Sequence, residues 1–176
     1  MKNLSSDAEK NGIISVANLM CVAARTAPKA RAIDNIITLI LTGKDIEELS
    51  KKMAEIANSG YRTNTFSRDA ETIKKATAVV LIGTKVAAIG LDCGFCGFEN
   101  CKKCEESKAV CVYNPGDLGI AIGSAVSMAA DNRVDNRIMY TAGYTAVKNN
   151  LFEGDVKIAF GIPLSASGKN IFFERK

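Results

Sequence analysis

The stretch PGDLGIAIGSAVSMAADNRV (residues 115–134) decides the fold of this chain. Asp117 is of the residue type that caps helices, and the residues after it are apolar on nearly every face of a predicted helix. A helix of that kind is buried among other elements. Gly116, Gly119 and Gly123 each lower helix propensity by about 1 kcal/mol in a helix interior. We therefore predict a buried central helix whose glycines let another group approach the backbone closely.

The segments outside this helix alternate between helical patterns and short apolar runs. Residues 8–24 and 45–60 carry apolar side chains at helical spacing, and the second of these helices opens on a capping box formed by Asp45 and Glu48. The polar segment that follows predicts a loop and a short helix from about Asp69. Short β-branched apolar runs predict strands at residues 36–43, 77–85 and 156–164.

Composition places the chain among ordinary globular proteins. It has 176 residues, of which 47% are hydrophobic and 24% charged, enough to bury one core. We expect one α+β (α/β layered) domain over residues 1–176, with a mixed sheet of about four or five strands around the central helix. The cysteine segment 93–111 is inserted between a strand and that helix.

Charge and hydropathy exclude two classes of partner. The formal charge of +4 arises from 23 basic and 19 acidic residues spread along the chain, so we expect no nucleic-acid binding. No apolar run reaches the roughly 18 residues of a membrane helix, and the N-terminus has no apolar signal region. We therefore expect a cytoplasmic protein that does not bind a membrane.

Five of the 6 cysteines lie in CGFCGFENCKKCEESKAVC (residues 93–111), with the spacing C-x2-C-x4-C-x2-C-x6-C. Cytosolic thiols are kept reduced, so such a pattern indicates metal or redox chemistry before disulfides. The chain has 0 histidines, which excludes Cys-His and Ser-His-Asp catalytic machinery. The chemistry must then use a cofactor, thiolates, carboxylates or lysines.

The spacing favours an iron-sulfur cluster over the alternatives. Structural zinc sites usually place about a dozen residues or more between two C-x2-C pairs, whereas only residues 97–100 separate them here. Closely spaced thiolates suit a 4Fe-4S cluster, and Gly94 and Gly97 would let backbone amides turn toward its sulfides. Phe95 and Phe98 could exclude water. A zinc site ranks second, and disulfides in a redox-sensing loop third.

The spacing leaves the fourth cluster ligand open. Cys93, Cys96 and Cys101 share the tight turn, and either Cys104 or Cys111 completes the set.

Two resemblances add to this interpretation. The segment CGFCGFENC resembles the C-G-x-C-G-[FY]-x-x-C motif of a small four-cysteine 4Fe-4S domain of electron-transfer proteins, in which a more distant cysteine is the last ligand. This resemblance implies the ligand set Cys93, Cys96, Cys101 and Cys111. Nearly the whole chain is similar to a family of uncharacterised prokaryotic proteins described as containing a ferredoxin domain. The similar blocks are AARTAPKARAIDNI, FSRDAETI, VVLIGTK, DLGIAIGSAVSMAADNRVDNRIMYTAG and GIPLSASGKNIFFER.

The same blocks resemble, more weakly, nitroreductase-like flavoproteins. In that fold FMN lies between a sheet and the central helix at a dimer interface, although the early Arg-x-Ser-x-Arg stretch typical of those proteins is missing here. The alternative is that Arg25 and Lys29 are solvated loop cations and that the small helix residues only allow packing. The residues that the resemblance implies as FMN contacts are Arg25, Thr26, Lys29, Asn35, Gly143, Lys169 and Arg175.

Together these observations predict a homodimeric redox protein. It would bind a 4Fe-4S cluster and FMN and pass electrons to a small-molecule acceptor or a redox partner protein. Such a protein would be an oxidoreductase if it is an enzyme, yet no residue is identified as its catalytic acid or base. The alternative function is a non-enzymatic zinc-binding structural or interaction module.

Overall fold

The computed structural model describes residues 4–173 and shows a four-stranded antiparallel sheet in the order β1-β2-β4-β3, with helices on both faces. The strands are β1 (Ile36–Thr42), β2 (Ala78–Lys85), β3 (Asp135–Asn136) and β4 (Val156–Ser165). The helices are α1 (Ser5–Thr26), α2 (Lys44–Asn58), α3 (Thr63–Ile73), α4 (Cys101–Glu106), α5 (Tyr113–Asp131) and α6 (Tyr140–Lys148), and Ala30–Ala32 forms a 3-10 turn.

Strand β2 lies in the middle of the molecule. Seven of its eight residues are buried, because it has a neighbouring strand on each side and helices on both faces. Side chains alternate along a strand, so Val80 and Ile82 enter one core cluster while Val79 and Leu81 enter the other. Burial on both faces explains why this segment is apolar without alternation.

Helices α1 and α5 form the layer on one face of the sheet. Their contact is lined by small and flexible apolar side chains, among them Ala17, Met20, Ala121 and Ala125, each fully buried. The Ser124 hydroxyl also donates to the Ala23 carbonyl across this contact, at 3.0 Å. Within residues 4–173, no helix combines the length and apolar character needed to cross a membrane.

Helices α2, α3 and α6 cover the opposite face. Two buried polar contacts join them: the Ser50 hydroxyl donates to the Ala70 carbonyl at 2.9 Å, and the Thr141 hydroxyl donates to the Asp69 carboxylate at 2.7 Å. Arg68 pairs with the same carboxylate. The buried charge of Asp69 is therefore neutralised and hydrogen-bonded, as burial of a carboxylate requires.

The structure confirms the predicted strands and the α+β class, and it refines the sheet from mixed to antiparallel. Three helix starts differ from the prediction. Helix α2 begins at Lys44 after Gly43, whose φ of 50° lets the strand turn sharply into the helix, so the capping box of Asp45 and Glu48 does not form the cap. Helix α3 begins at Thr63 rather than near Asp69.

The physical reasons for the other differences lie in single residues. The apolar pattern that predicts α3 is present in the sequence: Phe66, Ala70 and Ile73 form a buried stripe at helical spacing, although the segment around them is polar. Helix α5 begins at Tyr113, and Asp117 is not its cap. The Asp117 carboxylate is buried instead and accepts a hydrogen bond from the Ala30 amide at 3.1 Å.

Close packing of α6 on β4 depends on glycines in both elements, Gly143 and Gly161, and Gly143 gives a first prediction. A Cβ added at Gly143 would lie 2.0 Å from the Ala159 carbonyl oxygen, so helix and strand would have to separate. We expect Gly143→Ala to lower the free energy of unfolding by about 3 kcal/mol, the upper range for overpacking. Urea denaturation followed by circular dichroism measures this change.

Gly12→Ala is the matched control, because Gly12 lies inside α1 and no described atom would fall within 4 Å of its added Cβ. This variant should gain up to about 1 kcal/mol from helix propensity. Equal effects of the two substitutions would contradict the packing argument.

Candidate metal and cofactor site

The cysteine segment lies between β2 and α5, at the N-terminal end of the central helix. Its thiols differ in exposure: Cys104 is 1% and Cys111 4% exposed, whereas Cys93, Cys96 and Cys101 are partly exposed. All of these cysteines carry free thiols in the structure. The segment thus has two sulfur atoms in the protein interior and three near the surface.

Four of these thiols share one neighbourhood centred on Cys104. Burial, together with the neighbouring thiols of Cys96, Cys111 and Cys101, raises the pKa of Cys104 to about 11. Groups that perturb one another in this way lie close together. The structure therefore places Cys104 within hydrogen-bonding range of Cys96 and within electrostatic range of Cys111 and Cys101.

The remaining thiol, Cys93, lies beside Tyr113 at the start of α5. Burial raises the pKa of the Tyr113 hydroxyl above its ordinary value, and the adjacent Cys93 and Cys111 thiols add to this shift. Cys111 is common to both neighbourhoods. The Phe95 ring stacks on Tyr113, with ring centroids 6.4 Å apart. Five sulfurs thus surround one region at the N-terminus of α5.

The backbone of the loop turns toward these sulfurs. Gly94 and Gly97 have φ values of 73° and 82°, which favour glycine, and the Gly97 amide closes the turn on the Gly94 carbonyl at 2.9 Å. The Asp92 amide donates to Cys101 Sγ at 3.3 Å, and the Asp92 carboxylate accepts from the Cys101 amide at 2.7 Å. Amide bonds to cysteine sulfur help to set the potential of a cluster.

Cys104 uses its sulfur differently from Cys101. The Cys104 thiol donates to the Ala109 carbonyl at 3.6 Å, whereas Cys101 Sγ accepts from an amide. A sulfur that accepts is suited to the thiolate form, and one that donates must keep its proton. The identity of the fourth ligand stays a prediction, and this contrast supports Cys111.

The donor set of the loop is sulfur, the ligand type that an iron-sulfur cluster takes and that a zinc ion also accepts. Zn–S bonds of about 2.3 Å would place tetrahedral sulfurs about 3.8 Å apart. Across residues 4–173, no three or more Cys, Asp or Glu side chains are gathered on one metal-ion position. A cluster with an iron at each of several corners takes ligands that are spread more widely, all of them sulfur.

Four of the residues that the flavoprotein resemblance implies lie near one another in sequence: Arg25 and Thr26 end α1, and Lys29 and Asn35 lie in the loop between α1 and β1. The Arg25 side chain is 51% exposed, donates to the Ile36 carbonyl at 2.8 Å and pairs with Asp34. Burial alone would raise the pKa of Asp34, but the hydrogen bonds from Arg25 and from the Ile36 amide hold it below its ordinary value. Arg25 is therefore an oriented cation with an exposed face.

Its neighbours are less available for a phosphate. Lys29 donates to the carbonyls of Ala24, Arg25 and Ala27 at 3.0, 2.6 and 2.8 Å, and its side chain is 5% exposed. It thus caps the C-terminus of α1, where carbonyls lack helical partners. The Thr26 hydroxyl donates back to the Val22 carbonyl at 3.0 Å.

The other implied contacts lie in different places. The Asn35 carbonyl extends the β1-β2 ladder by accepting from the Lys85 amide at 3.2 Å. Gly143 lies inside α6 on the opposite face of the sheet, so the structure does not bring it together with Arg25. Lys169 is exposed in the tail after β4, and Arg175 lies outside the described residues.

Two buried polar residues on the first turns of α5 were missed by sequence reasoning. The Asn114 side chain accepts from the Ala87 amide, and Asp117 accepts from the Ala30 amide, each at 3.1 Å. These bonds join the central helix to both the segment after β2 and the loop before β1. The available signal was a pair of polar residues, three positions apart at the start of an otherwise apolar helix.

Helix α5 is buried on one side only, which differs from the prediction of a fully buried helix. Its outward side carries exposed residues that are small or apolar, and Ile120 is 48% exposed. Added Cβ atoms at Gly116, Gly119 and Gly123 would meet no described atom within 4 Å. The glycines therefore leave an open, uncharged surface beside the cysteine loop.

Comparison with known proteins adds the family. The model of the family "Uncharacterized protein containing a ferredoxin domain (DUF2148)" matches residues 107–175. An uncharacterized protein of Archaeoglobus fulgidus is 38% identical over 178 aligned positions, covering 96% of this chain and 95% of the relative. The chain belongs to this ferredoxin-domain family. The matched range of the family model contains Cys111 and begins after the other four cysteines of the loop.

Solved structures similar to this ferredoxin-domain protein are flavoproteins with the nitroreductase fold. Nitroreductase CinD from Lactococcus lactis, in complex with nicotinic acid, has a TM-score of 0.62 at 13% identity and covers 97% of this chain and 95% of its own. A BluB-like flavoprotein from Clostridium difficile 630 has a TM-score of 0.59 at 19% identity, covering 96% and 87%. The FMN-dependent nitroreductase NfnB from Mycobacterium smegmatis, in complex with NADPH, has a TM-score of 0.59 at 10% identity, covering 88% and 78%. These likenesses confirm the predicted fold.

Proposed function

We propose that the protein is a redox protein that binds a 4Fe-4S cluster at Cys93, Cys96, Cys101 and Cys111 and FMN beside the α1-β1 loop. The observation that carries the proposal is the gathering of five thiols around a glycine loop, with an amide donating to Cys101. The family and the nitroreductase fold support a redox role. The protein would work in a reducing compartment such as the cytoplasm, and its electrons would go to a small acceptor or a partner protein.

The chain contributes ligands, fixed charges and shielding to this function. A bound cluster supplies one-electron transfer, and a bound flavin links it to two-electron chemistry. The Asp92 amide stabilises the Cys101 thiolate by hydrogen bonding. The exposed face of Arg25 offers a cation to a phosphate. Tyr113 lies beside Cys93 and shields it on one side, while the Phe95 ring that stacks on Tyr113 is 75% exposed.

Anaerobic reconstitution with iron and sulfide tests the cluster. We expect broad visible absorbance with equal amounts of iron and sulfide in the wild type, and loss of both in Cys101→Ser, because a hydroxyl is a poor ligand for this cluster. Cys111→Ser should also lose the cluster, whereas Cys104→Ser should retain it. Cys21→Ser is the control, since Cys21 lies on α1 outside the loop.

Two results would change this proposal in different ways. A colourless protein with stoichiometric zinc would replace it with the alternative of a zinc-binding structural module. Cluster loss in Cys104→Ser together with retention in Cys111→Ser would keep the cluster and exchange the fourth ligand.

Flavin titration tests the second cofactor. FMN should bind the wild type with quenching of its fluorescence, and Arg25→Ala should raise the dissociation constant at least about tenfold, because a hydrogen bond to a charged group contributes about 1.5–3 kcal/mol. Arg25→Lys, which keeps the charge, should recover part of the affinity. Arg133→Ala is the matched control, because Arg133 is an exposed arginine at the far end of α5.

Since Arg25 also binds Asp34 and Ile36, the thermal midpoint of each variant must be measured with the affinity. A wild type that neither quenches FMN nor releases flavin on denaturation would exclude this part of the proposal.

We further propose that the outward side of α5 is the interface of a homodimer. Its exposed residues between Pro115 and Ala130 are all uncharged and include the half-exposed Ile120, and the neighbouring helix α1 carries the exposed Leu19 and Val22. Exposed apolar residues on packed helices are typical of an interaction site.

Sedimentation velocity tests the dimer. Ile120→Asp should shift the protein from dimer to monomer, because it buries an unpaired charge in the interface. Ile138→Asp is the matched control, since Ile138 is 46% exposed and lies between β3 and α6. A monomeric wild type, or equal dissociation by both variants, would contradict this interface.

A further inference from the structure

Arg31 joins two loops that are distant in sequence. Its Nη1 donates to the carbonyls of Ile89 and Gly90 at 2.8 and 2.7 Å. Gly90 has a φ of 68°, and a Cβ added there would lie 2.9 Å from the same Nη1. The guanidinium therefore lies against the space that a side chain at position 90 would occupy, and the positive φ favours glycine there.

The loop that carries Arg31 is strained. Arg31 and Ala32 have φ values of 55° and 56°, and two consecutive non-glycine residues in this region are sparsely populated in proteins. Such a conformation persists only where the surrounding contacts determine it. Two anchors do so here: the bonds of Arg31 to the segment after β2, and the Ala30 amide bond to Asp117.

Gly90, which binds Arg31, lies three residues before Cys93, the first cysteine of the loop. Asp92 lies two residues after Gly90 with a φ of 50°, and it makes both bonds to Cys101, one to the sulfur and one from the amide. A continuous path of hydrogen bonds and short backbone segments thus runs from the Arg31 loop to Cys101. The same loop holds Arg25 and Asp34 at its ends.

We infer that Arg31 couples the two cofactor sites, so that filling the cysteine site raises the affinity of the α1-β1 loop for FMN. The inference rests on the proposed function for the identity of the ligands. A cluster bound at Cys101 would restrict the motion of Asp92 and of the Gly90 carbonyl. Arg31 donates to that carbonyl, so its own position, and with it the strained α1-β1 loop, would also become more ordered. The ordering is then already complete when FMN binds, which makes the two binding events cooperative and, by linkage, reciprocal.

A double comparison tests the coupling. The FMN dissociation constant is measured by fluorescence for cluster-loaded and for chelator-treated protein, in the wild type and in Arg31→Gln. We expect the loaded wild type to bind FMN at least about fivefold more tightly than the empty wild type. In Arg31→Gln this ratio should fall to about one, while the FMN affinity of the empty protein stays within about threefold of the wild type. Arg133→Gln is the control, because Arg133 is exposed and its backbone also has a left-handed conformation, with a φ of 58°.

A second measurement needs neither cofactor. The Cys101 amide donates to Asp92, so its hydrogen exchange in the empty protein reports the order of that contact. Arg31→Gln should accelerate this exchange about tenfold, and Arg133→Gln should leave it unchanged.

The outcomes separate the two proposals. Unaltered exchange at Cys101 in Arg31→Gln, or equal coupling ratios in wild type and variant, would overturn the role of Arg31 while leaving both cofactors in place. Failure of the wild type to bind iron or FMN would overturn the proposed function and the coupling with it, even if the exchange result showed that Arg31 orders the loop.

Discussion

The burial of β2 on both faces is the constraint on which the rest of the structure depends. Seven of its eight residues are buried, so the chain must provide two helical layers, one from α1 and α5 and one from α2, α3 and α6. Burying such a strand removes a large apolar area from water, at roughly 25 cal/mol per Å². The layers can approach closely only where side chains are small, as at Gly143 against Ala159. The fold thus depends on a strand that must be buried on both faces and on small residues that let the helices pack closely against the sheet.

The same arrangement positions the cysteine loop. The chain leaves β2 at Lys85 and must return to the same face of the sheet as α5, so the intervening segment lies at the N-terminus of that helix. Asn114 and Asp117 then bind the amides of Ala87 and Ala30, which fixes the loop against the helix and the helix against the α1-β1 loop. Each bond satisfies a buried polar group that would otherwise be costly. Both candidate cofactor sites therefore depend on the first turns of one helix.

Local patterns predicted the strands and the main helices, because apolar periodicity reports burial directly. The three helix starts were wrong for different local reasons. A left-handed glycine precedes α2, a buried stripe inside a polar segment marks α3, and Asp117 of α5 binds a distant loop instead of its own turn. The cysteine loop was predictable from spacing, yet the central place of Cys104 was not, since side-chain direction depends on the fold. Lys29 was predicted as a flavin contact or a solvated cation, whereas its ammonium donates to three carbonyls at the end of α1. A basic residue in a loop gives no sequence signal of such a bond.

The fifth thiol has a role that does not require it to bind metal. Cys104 ends its short helix with two bonds to one residue: its carbonyl accepts from the Ala109 amide at 3.0 Å, and its thiol donates to the Ala109 carbonyl at 3.6 Å. The second bond exists only while the sulfur keeps its proton, and a pKa of about 11 keeps it protonated at neutral pH. These bonds close the turn that contains Lys108, whose φ of 52° is otherwise unfavourable, and they direct the chain to Cys111 two residues later. A protonated Cys104 thus helps to hold Cys111 near the other sulfurs, a role that is compatible with the four-cysteine ligand set that we propose.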